Sequence, residues 1–253
     1  MQTRRVLVTG AGSGVGEALA RQLARAGHEL VVTDLDGAAA ERVAAAIVAG
    51  GGRAHAFRLD VTRVDEVERV LSAAQPVDVL VNNAGLQNVA PLAEFPPEKW
   101  QLLVNVMLVG PALTTRAALP GMRARNFGRI VNIGSIHSLV ASPYKSAYVA
   151  AKHGLLGLAK TVALETGDVD VTINTICPAY LRTPLVEKQI ADQARTHGLP
   201  EQRVIDEIML KPMPKKAFVT VEEVVALTEY LVSDAARNVT AQAIAIDGGW
   251  TAA

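Results

Sequence analysis

The chain alternates short, continuously apolar runs with longer stretches in which apolar residues recur every three or four positions. Residues 5–9, 29–33, 54–59, 77–81, 129–133, 171–176 and 243–246 are short β-type runs rich in valine, leucine, isoleucine and alanine. Residues 17–26, 38–49, 64–74, 97–124 and 144–165 predict helices between them. Gly27 closes the first helix, Gly50-Gly51-Gly52 the second, and Gly110-Pro111 predicts a bend in the fourth. Continuous rather than alternating apolar runs mark strands covered on both faces. Repeated β-α-β order then predicts an α/β protein with a doubly wound parallel sheet, right-handed crossovers and helices on both faces. No internal repeat or linker divides residues 1–253, which read as a single domain. Residues 184–214 break the alternation. They are helical, polar and proline-rich toward their end, and they fall near the carboxyl ends of the strands, where such folds bind ligands. A mobile lid over a substrate is expected there.

Composition narrows this picture. Half of the 253 residues are hydrophobic, enough for one large core. The 25 basic and 25 acidic residues balance, so no excess charge points to nucleic acid or an anionic membrane. Cys177 is the sole cysteine, which excludes an intramolecular disulfide and a thiolate metal cluster and fits a small buried hydrophobe. The apolar stretch after Arg4-Arg5 is too short for a signal peptide, and no apolar run approaches membrane-spanning length. A cytoplasmic protein is expected, with no metal called for.

The first strand runs directly into Thr9-Gly10-Ala11-Gly12-Ser13-Gly14-Val15-Gly16, and a helix follows. Glycines in that position let backbone N–H groups approach a pyrophosphate at the helix N-terminus, the hallmark of a Rossmann-type dinucleotide site. The second strand ends at Asp34, whose carboxylate suits the two ribose hydroxyls of NAD and repels the 2′-phosphate of NADP. At ~4 Å and an effective dielectric of about 20 that repulsion is about 4 kcal/mol. Asp60, with Val61 after the third strand, suits either the adenine edge or a helix cap near Thr62. Tyr148 and Lys152 lie four apart on a predicted helix and share one face. A neighbouring cation lowers a phenol's pKa from near ~10, so the pair predicts a general acid/base.

These motifs, in this order, resemble the short-chain dehydrogenase/reductase family across essentially the whole chain. The matching positions are Thr9-Gly10-x-x-x-Gly14-x-Gly16, Asn82-Asn83-Ala84-Gly85, Asn105, Ser135 and Tyr148-x-x-x-Lys152. The resemblance implies NAD as cofactor, met by Thr9, Gly10, Gly12, Ser13, Gly14, Val15, Gly16, Asp34, Asp60, Val61, Asn83, Ala84, Gly85, Tyr148, Lys152, Pro178 and Thr183. It implies Tyr148 as the proton-exchanging residue and Ser135 as the holder of the substrate oxygen. Lys152 would bind the nicotinamide ribose, and Asn105 would anchor a water leading to solvent. Ala179 stands where the family usually has glycine. A homotetramer is expected by the same analogy.

Gln87, His137, Lys145 and Gln189 surround the catalytic positions, a cation with hydrogen-bonding groups that matches a small carboxylate. Residues 135–148, 183–189, 210–214 and 247–251 are similar to bacterial D-3-hydroxybutyrate dehydrogenases. That similarity implies a carboxylate held by those four residues and a substrate methyl lined by Trp250, with reversible oxidation of (R)-3-hydroxybutyrate to acetoacetate. Asn88 and Ala241 stand where histidine and glycine are expected. Rival readings are a related dehydrogenase of a sugar, polyol or longer 3-hydroxyacyl chain, and a non-catalytic NAD-binding sensor.

Overall fold

The computed structural model describes residues 3–182, 186–187, 190–191, 194–195 and 198–252. Seven parallel strands form one sheet: β1 (Arg5–Thr9), β2 (Glu29–Asp34), β3 (Arg53–Arg58), β4 (Val79–Asn82), β5 (Gly128–Ile133), β6 (Val171–Pro178) and β7 (Ala243–Ile246). Their order is β3-β2-β1-β4-β5-β6-β7. The helices are α1 (Gly14–Arg25), α2 (Gly37–Ala49), α3 (Val64–Ala73), α4 (Pro97–Val104), α5 (Gly110–Ala124), α6 (Ser146–Glu165), α7 (Glu201–Val204) and α8 (Val221–Val232).

The continuous apolar runs have the cause expected of them. In β1, Val6 and Val8 face a core shared with α1, α2 and α8, while Leu7 faces the opposite core beneath α3, α5 and α6. Both sides of the central strands are dry, so both sets of alternate residues must be apolar. Leu30 and Val32 join the first core, and Val31, Leu80, Ile130 and Ile173 the second. The winding direction reverses between β1 and β4, which opens a crevice at the carboxyl ends of these strands.

The structure corrects several boundaries. α1 begins at Gly14 rather than 17, because the glycine loop itself turns into the helix after an extended Ser13. The predicted bend at Gly110-Pro111 is instead a π-helical turn over Asn105–Val109, and residues 97–124 run on as one helix. That helix does reach membrane-spanning length, against the expectation, with a mean hydropathy of 1.5 over its most apolar stretch. It lies on the sheet, burying Leu103, Met107, Ala118 and Met122. α8 has no counterpart among the predicted elements, although Thr220-Val221-Glu222-Glu223 carries a helix-start signature. The Thr220 hydroxyl accepts from the Glu223 N–H and the Glu223 carboxylate from the Thr220 N–H.

Candidate functional site

The carboxyl ends of the strands open into a cleft of about 640 Å³. Gly10, Ser13, Gly14 and Val15 line one end, with Asp34, Asp60, Val61, Asn83, Ala84 and Gly85 around them. Gly10 (φ +63°) and Gly14 (φ +56°) hold left-handed backbone. A Cβ on Gly10 would stand 2.8 Å from the Ala84 Cα, and one on Gly16 would collide with the Gly10 carbonyl. A Cβ on Gly14 would meet nothing within 4 Å, so this part of the loop presents bare backbone. Asp34 is aimed by two backbone donors: the Gly12 N–H at 2.8 Å and the Asp36 N–H at 3.0 Å.

Three expected cofactor residues, Thr9, Gly12 and Gly16, work from behind the cleft rather than as its walls. The buried Thr9 hydroxyl accepts from the N–H groups of Asn83 (3.0 Å) and Ala84 (3.1 Å), so it is already occupied. The Asn83 amide donates to the Thr9 and Gly10 carbonyls, at 2.9 and 3.0 Å, tying β4's exit to the glycine loop. Gly12 and Gly16 likewise shape the loop without lining the cleft. Asp60 is not the helix cap, since α3 starts after Arg63 with no side-chain cap bond; its carboxylate accepts from the N–H and hydroxyl of Thr62 at 2.9 and 2.7 Å in the turn before that helix, and it borders the cleft.

Ser135 follows β5 and is locked by a reciprocal cap. Its hydroxyl accepts from the His137 N–H at 3.2 Å, while its own N–H donates to the Ser138 hydroxyl at 3.2 Å. Tyr148 and Lys152 project one turn apart from α6 into the same cleft. The Lys152 ammonium donates to the Ile133 carbonyl at 2.6 Å and lies 5.6 Å from the Tyr148 ring centroid. Burial pushes Lys152 down to about 8. Burial also pushes the Tyr148 phenol up, and a hydrogen bond with Ser135 offsets part of that rise. Here the structure departs from the expected lowering by Lys152: desolvation dominates, and the ammonium is directed at the Ile133 carbonyl. Asn105 opens the π turn, and its side-chain oxygen accepts from Gln101 at 2.8 Å. It is not a wall of the cleft; the next residues, Val106 and Met107, are. Cys177 is fully buried and its thiol is pushed up by burial, in keeping with a packing role.

The other end of the cleft is an aromatic wall. The His137 ring stands edge-on to Tyr148 (6.1 Å) and to Trp250 (6.0 Å), and Trp250 leans on Tyr180 at 5.9 Å. The Lys145 ammonium lies 5.6 Å from the Tyr180 ring centroid. Burial above all, with the Lys145 and His153 charges adding, pushes His137 down to about 4, so the ring is neutral at pH 7. Its Nδ1 has no hydrogen-bond partner among the described residues. Burial also lowers the Lys145 pKa. Gln87 borders the cleft, its side-chain oxygen accepting from the Asn88 N–H at 3.1 Å. Trp250 itself packs behind His137 and Tyr180, on a turn whose N–H groups at Gly249 (2.9 Å) and Thr251 (2.8 Å) donate to Asp247. Tyr144 adopts a left-handed backbone (φ +68°), and its carbonyl accepts from the Ala90 N–H at 2.9 Å, which ties the Gln87 loop to Lys145. Pro178 ends β6 in the cleft wall; Thr183 and Gln189 lie outside the described residues.

Sequence reasoning missed Tyr180 as a site residue. Its signal was positional: an aromatic two residues beyond Pro178, where β6 ends in the crevice. The cleft suits a dinucleotide on the structure's own terms. It joins a bare-backbone loop at a helix N-terminus to an aimed carboxylate at the end of β2.

A family model described as short chain dehydrogenase matches residues 4–194. The chain is 46% identical to a D-beta-hydroxybutyrate dehydrogenase of Rhizobium meliloti, over 99% of both chains. It is 42% identical to a D-beta-hydroxybutyrate dehydrogenase of Cupriavidus necator, over 98% of both. Among solved structures, a sorbitol-6-phosphate 2-dehydrogenase from Erwinia amylovora superposes with a TM-score of 0.92 at 30% identity, covering 98% of this chain and 99% of that one.

Proposed function

The chain belongs to the short-chain dehydrogenase family, and from that premise we propose that it interconverts (R)-3-hydroxybutyrate and acetoacetate with NAD. The observation that carries the substrate is that one cleft is lined by Lys145, a partly desolvated cation, and by His137, whose buried Nδ1 has no partner among the described residues. That combination asks for a carboxylate rather than a neutral chain end. The two curated hydroxybutyrate dehydrogenases at 46% and 42% identity support the same choice.

In this reading, Gly10, Ser13, Gly14 and Val15 would present backbone to the pyrophosphate of NAD, with Gly12 and Gly16 shaping that loop from behind, and Asp34 would accept from the adenosine ribose. Asp60 and Val61 border the adenine, Asn83, Ala84 and Gly85 the adjoining ribose, and Pro178 and Thr183 the carboxamide. Bound NAD supplies the hydride acceptor for the alcohol. Ser135 donates to the substrate oxygen and Tyr148 exchanges its proton. A phenol held protonated by burial is well placed as the acid that completes reduction of a ketone. In the oxidation direction its proton must leave, which the Lys152 ammonium would favour, and Lys152 would also hold the nicotinamide ribose. Asn105 leads that proton to solvent. Gln87, His137, Lys145 and Gln189 hold the carboxylate, Trp250 backs the methyl end, and residues 184–214 close over the site. The protein acts as a cytoplasmic homotetramer, for which the exposed Leu102, Val109 and Leu164 on the long helices supply apolar faces.

The test is steady-state turnover of (R)-3-hydroxybutyrate, its enantiomer and neutral 3-hydroxy esters, each with NAD and with NADP. The (R)-acid with NAD is expected to dominate. Equal or better turnover of the esters would remove the carboxylate reading.

A further inference from the structure

We propose that Arg42, on α2 and outside the cleft, is a positioning residue for the dinucleotide: it holds the Gly12 carbonyl and thereby sets the loop that receives the pyrophosphate. This rests on the cofactor reading above. Gly12 is gripped at both ends. Its N–H donates to Asp34 at 2.8 Å, and its carbonyl accepts from the Arg42 guanidinium at 2.6 Å. The space around it is full, since a Cβ there would come within 2.8 Å of both Ala39 Cβ and the Asp34 carboxylate.

Glu17, in the first turn of α1, aims the arginine. The guanidinium donates to both Glu17 oxygens, at 3.1 and 2.9 Å, and Arg21 adds two bonds at 2.9 and 2.8 Å. These bonds, with Arg42 first, hold the Glu17 carboxyl below the usual range, so the network stays ionised. A glycine-rich loop has few side chains to fix it and loses much conformational freedom when it binds a ligand. Anchoring the Gly12 carbonyl, midway between Gly10 and Gly14, pre-organises it. Arg42 also neutralises an acidic group beside the helix end to which an anion must come. With its side chain 55% exposed, Arg42 contributes little to global stability, so its effect is expected in cofactor affinity.

The experiment compares full-length Arg42→Ala, Arg42→Lys, Arg42→Gln and Glu17→Gln with the unaltered chain. NADH dissociation constants come from fluorescence titration, and kcat is taken at saturating NAD. Arg42→Ala is expected to weaken NADH binding about tenfold with kcat within about twofold. Arg42→Lys, still able to donate to Gly12, recovers most of the loss. Glu17→Gln removes the charge but keeps a side-chain oxygen that accepts from Arg42, so it leaves Arg42 on the carbonyl and stays within about twofold. Equal affinity in Arg42→Ala overturns the proposal. So does a loss in Glu17→Gln as large as in Arg42→Ala, which would assign the effect to the α1–α2 ion pair. If Arg42→Ala fails to fold, Arg42→Gln against Arg42→Lys makes the same comparison, the amide being too short to reach Gly12. If the unaltered chain binds no NADH, the cofactor reading falls and this proposal with it; binding without dependence on Arg42 sinks this proposal alone.

Discussion

Replacing Lys145 with methionine removes the ammonium while keeping most of the apolar stem. The ammonium lies 5.6 Å from the Tyr180 ring centroid, in a wall completed by His137 and Trp250. Burial lowers its pKa, and among the described residues no carboxylate shares its charge. A fully exposed pair with a substrate carboxylate would be worth about 0–1 kcal/mol. Breaking a buried one costs about 3–5 kcal/mol. Lys145 is half-buried, which places the loss between them at about 2–3 kcal/mol, or on the order of a hundredfold in kcat/KM. The neutral ester presents no carboxylate, and its kcat/KM is expected to change by less than about threefold. NADH formation measured on acid and ester in parallel separates the two. Equal losses for both would mean that Lys145 acts through packing; no loss for the acid would refute the clamp. The pH dependence has a defined sign. The clamp is present while Lys145 is protonated and is lost as pH rises through a pKa below that of an ordinary lysine. The methionine variant should lack that limb in log kcat/KM for the acid.

Other substitutions probe the rest of the site. Asp34→Ser removes the charge opposing a 2′-phosphate; a preference for NAD on the order of a thousandfold should shrink by about two decades, and an unchanged NAD-to-NADP ratio would refute that role. Tyr148→Phe is expected to lower kcat by orders of magnitude while NADH still binds in titration, and substantial retained turnover would refute its proton-exchange role. Lys152 falls from 10.5 to about 8 on folding, a penalty of roughly 3 kcal/mol on the charged form below pH 8. Between pH 8 and 10.5 the unfolded chain holds the proton that the folded chain has released, so this group's contribution to stability rises with pH. Lys152→Met should therefore unfold later than the parent at pH 7, with the gap narrowing toward pH 10; a constant gap in denaturant titrations would refute the assignment. Ala241 sits at φ +60°, where a Cβ costs about 1–2 kcal/mol. After the entropy glycine adds to the unfolded chain, Ala241→Gly should stabilise by about 0.5–1 kcal/mol, and a lower Tm by calorimetry would contradict this.

Much of this protein was legible along the chain because its main signals are local. Strand type, parallel winding and the cofactor loop follow from apolar runs and glycine spacing, each set within about a dozen residues. Even the departure at Ala241 had a meaning waiting in the backbone: the position expected to be glycine is left-handed. The capping sequence at Thr220 was also legible, but it is a four-residue signal, and the short helix it opens carries no glycine loop or catalytic motif to mark it.

What the amino-acid order by itself determined was which groups exist at the site: a phenol and an amine one helical turn apart, a serine, an imidazole, a cation and an acidic strand end. Only the tertiary structure decided their chemical state. Tyr148 is raised rather than lowered, and Lys152 is brought down to about 8, because the sheet and the β5 exit desolvate both and turn the ammonium to the Ile133 carbonyl. His137 is neutral because it is packed between Tyr148 and Trp250, residues 11 positions after and 113 positions after it in the chain. Proton affinity depends on burial and on partners brought from distant segments, and neither is written in the spacing of a motif.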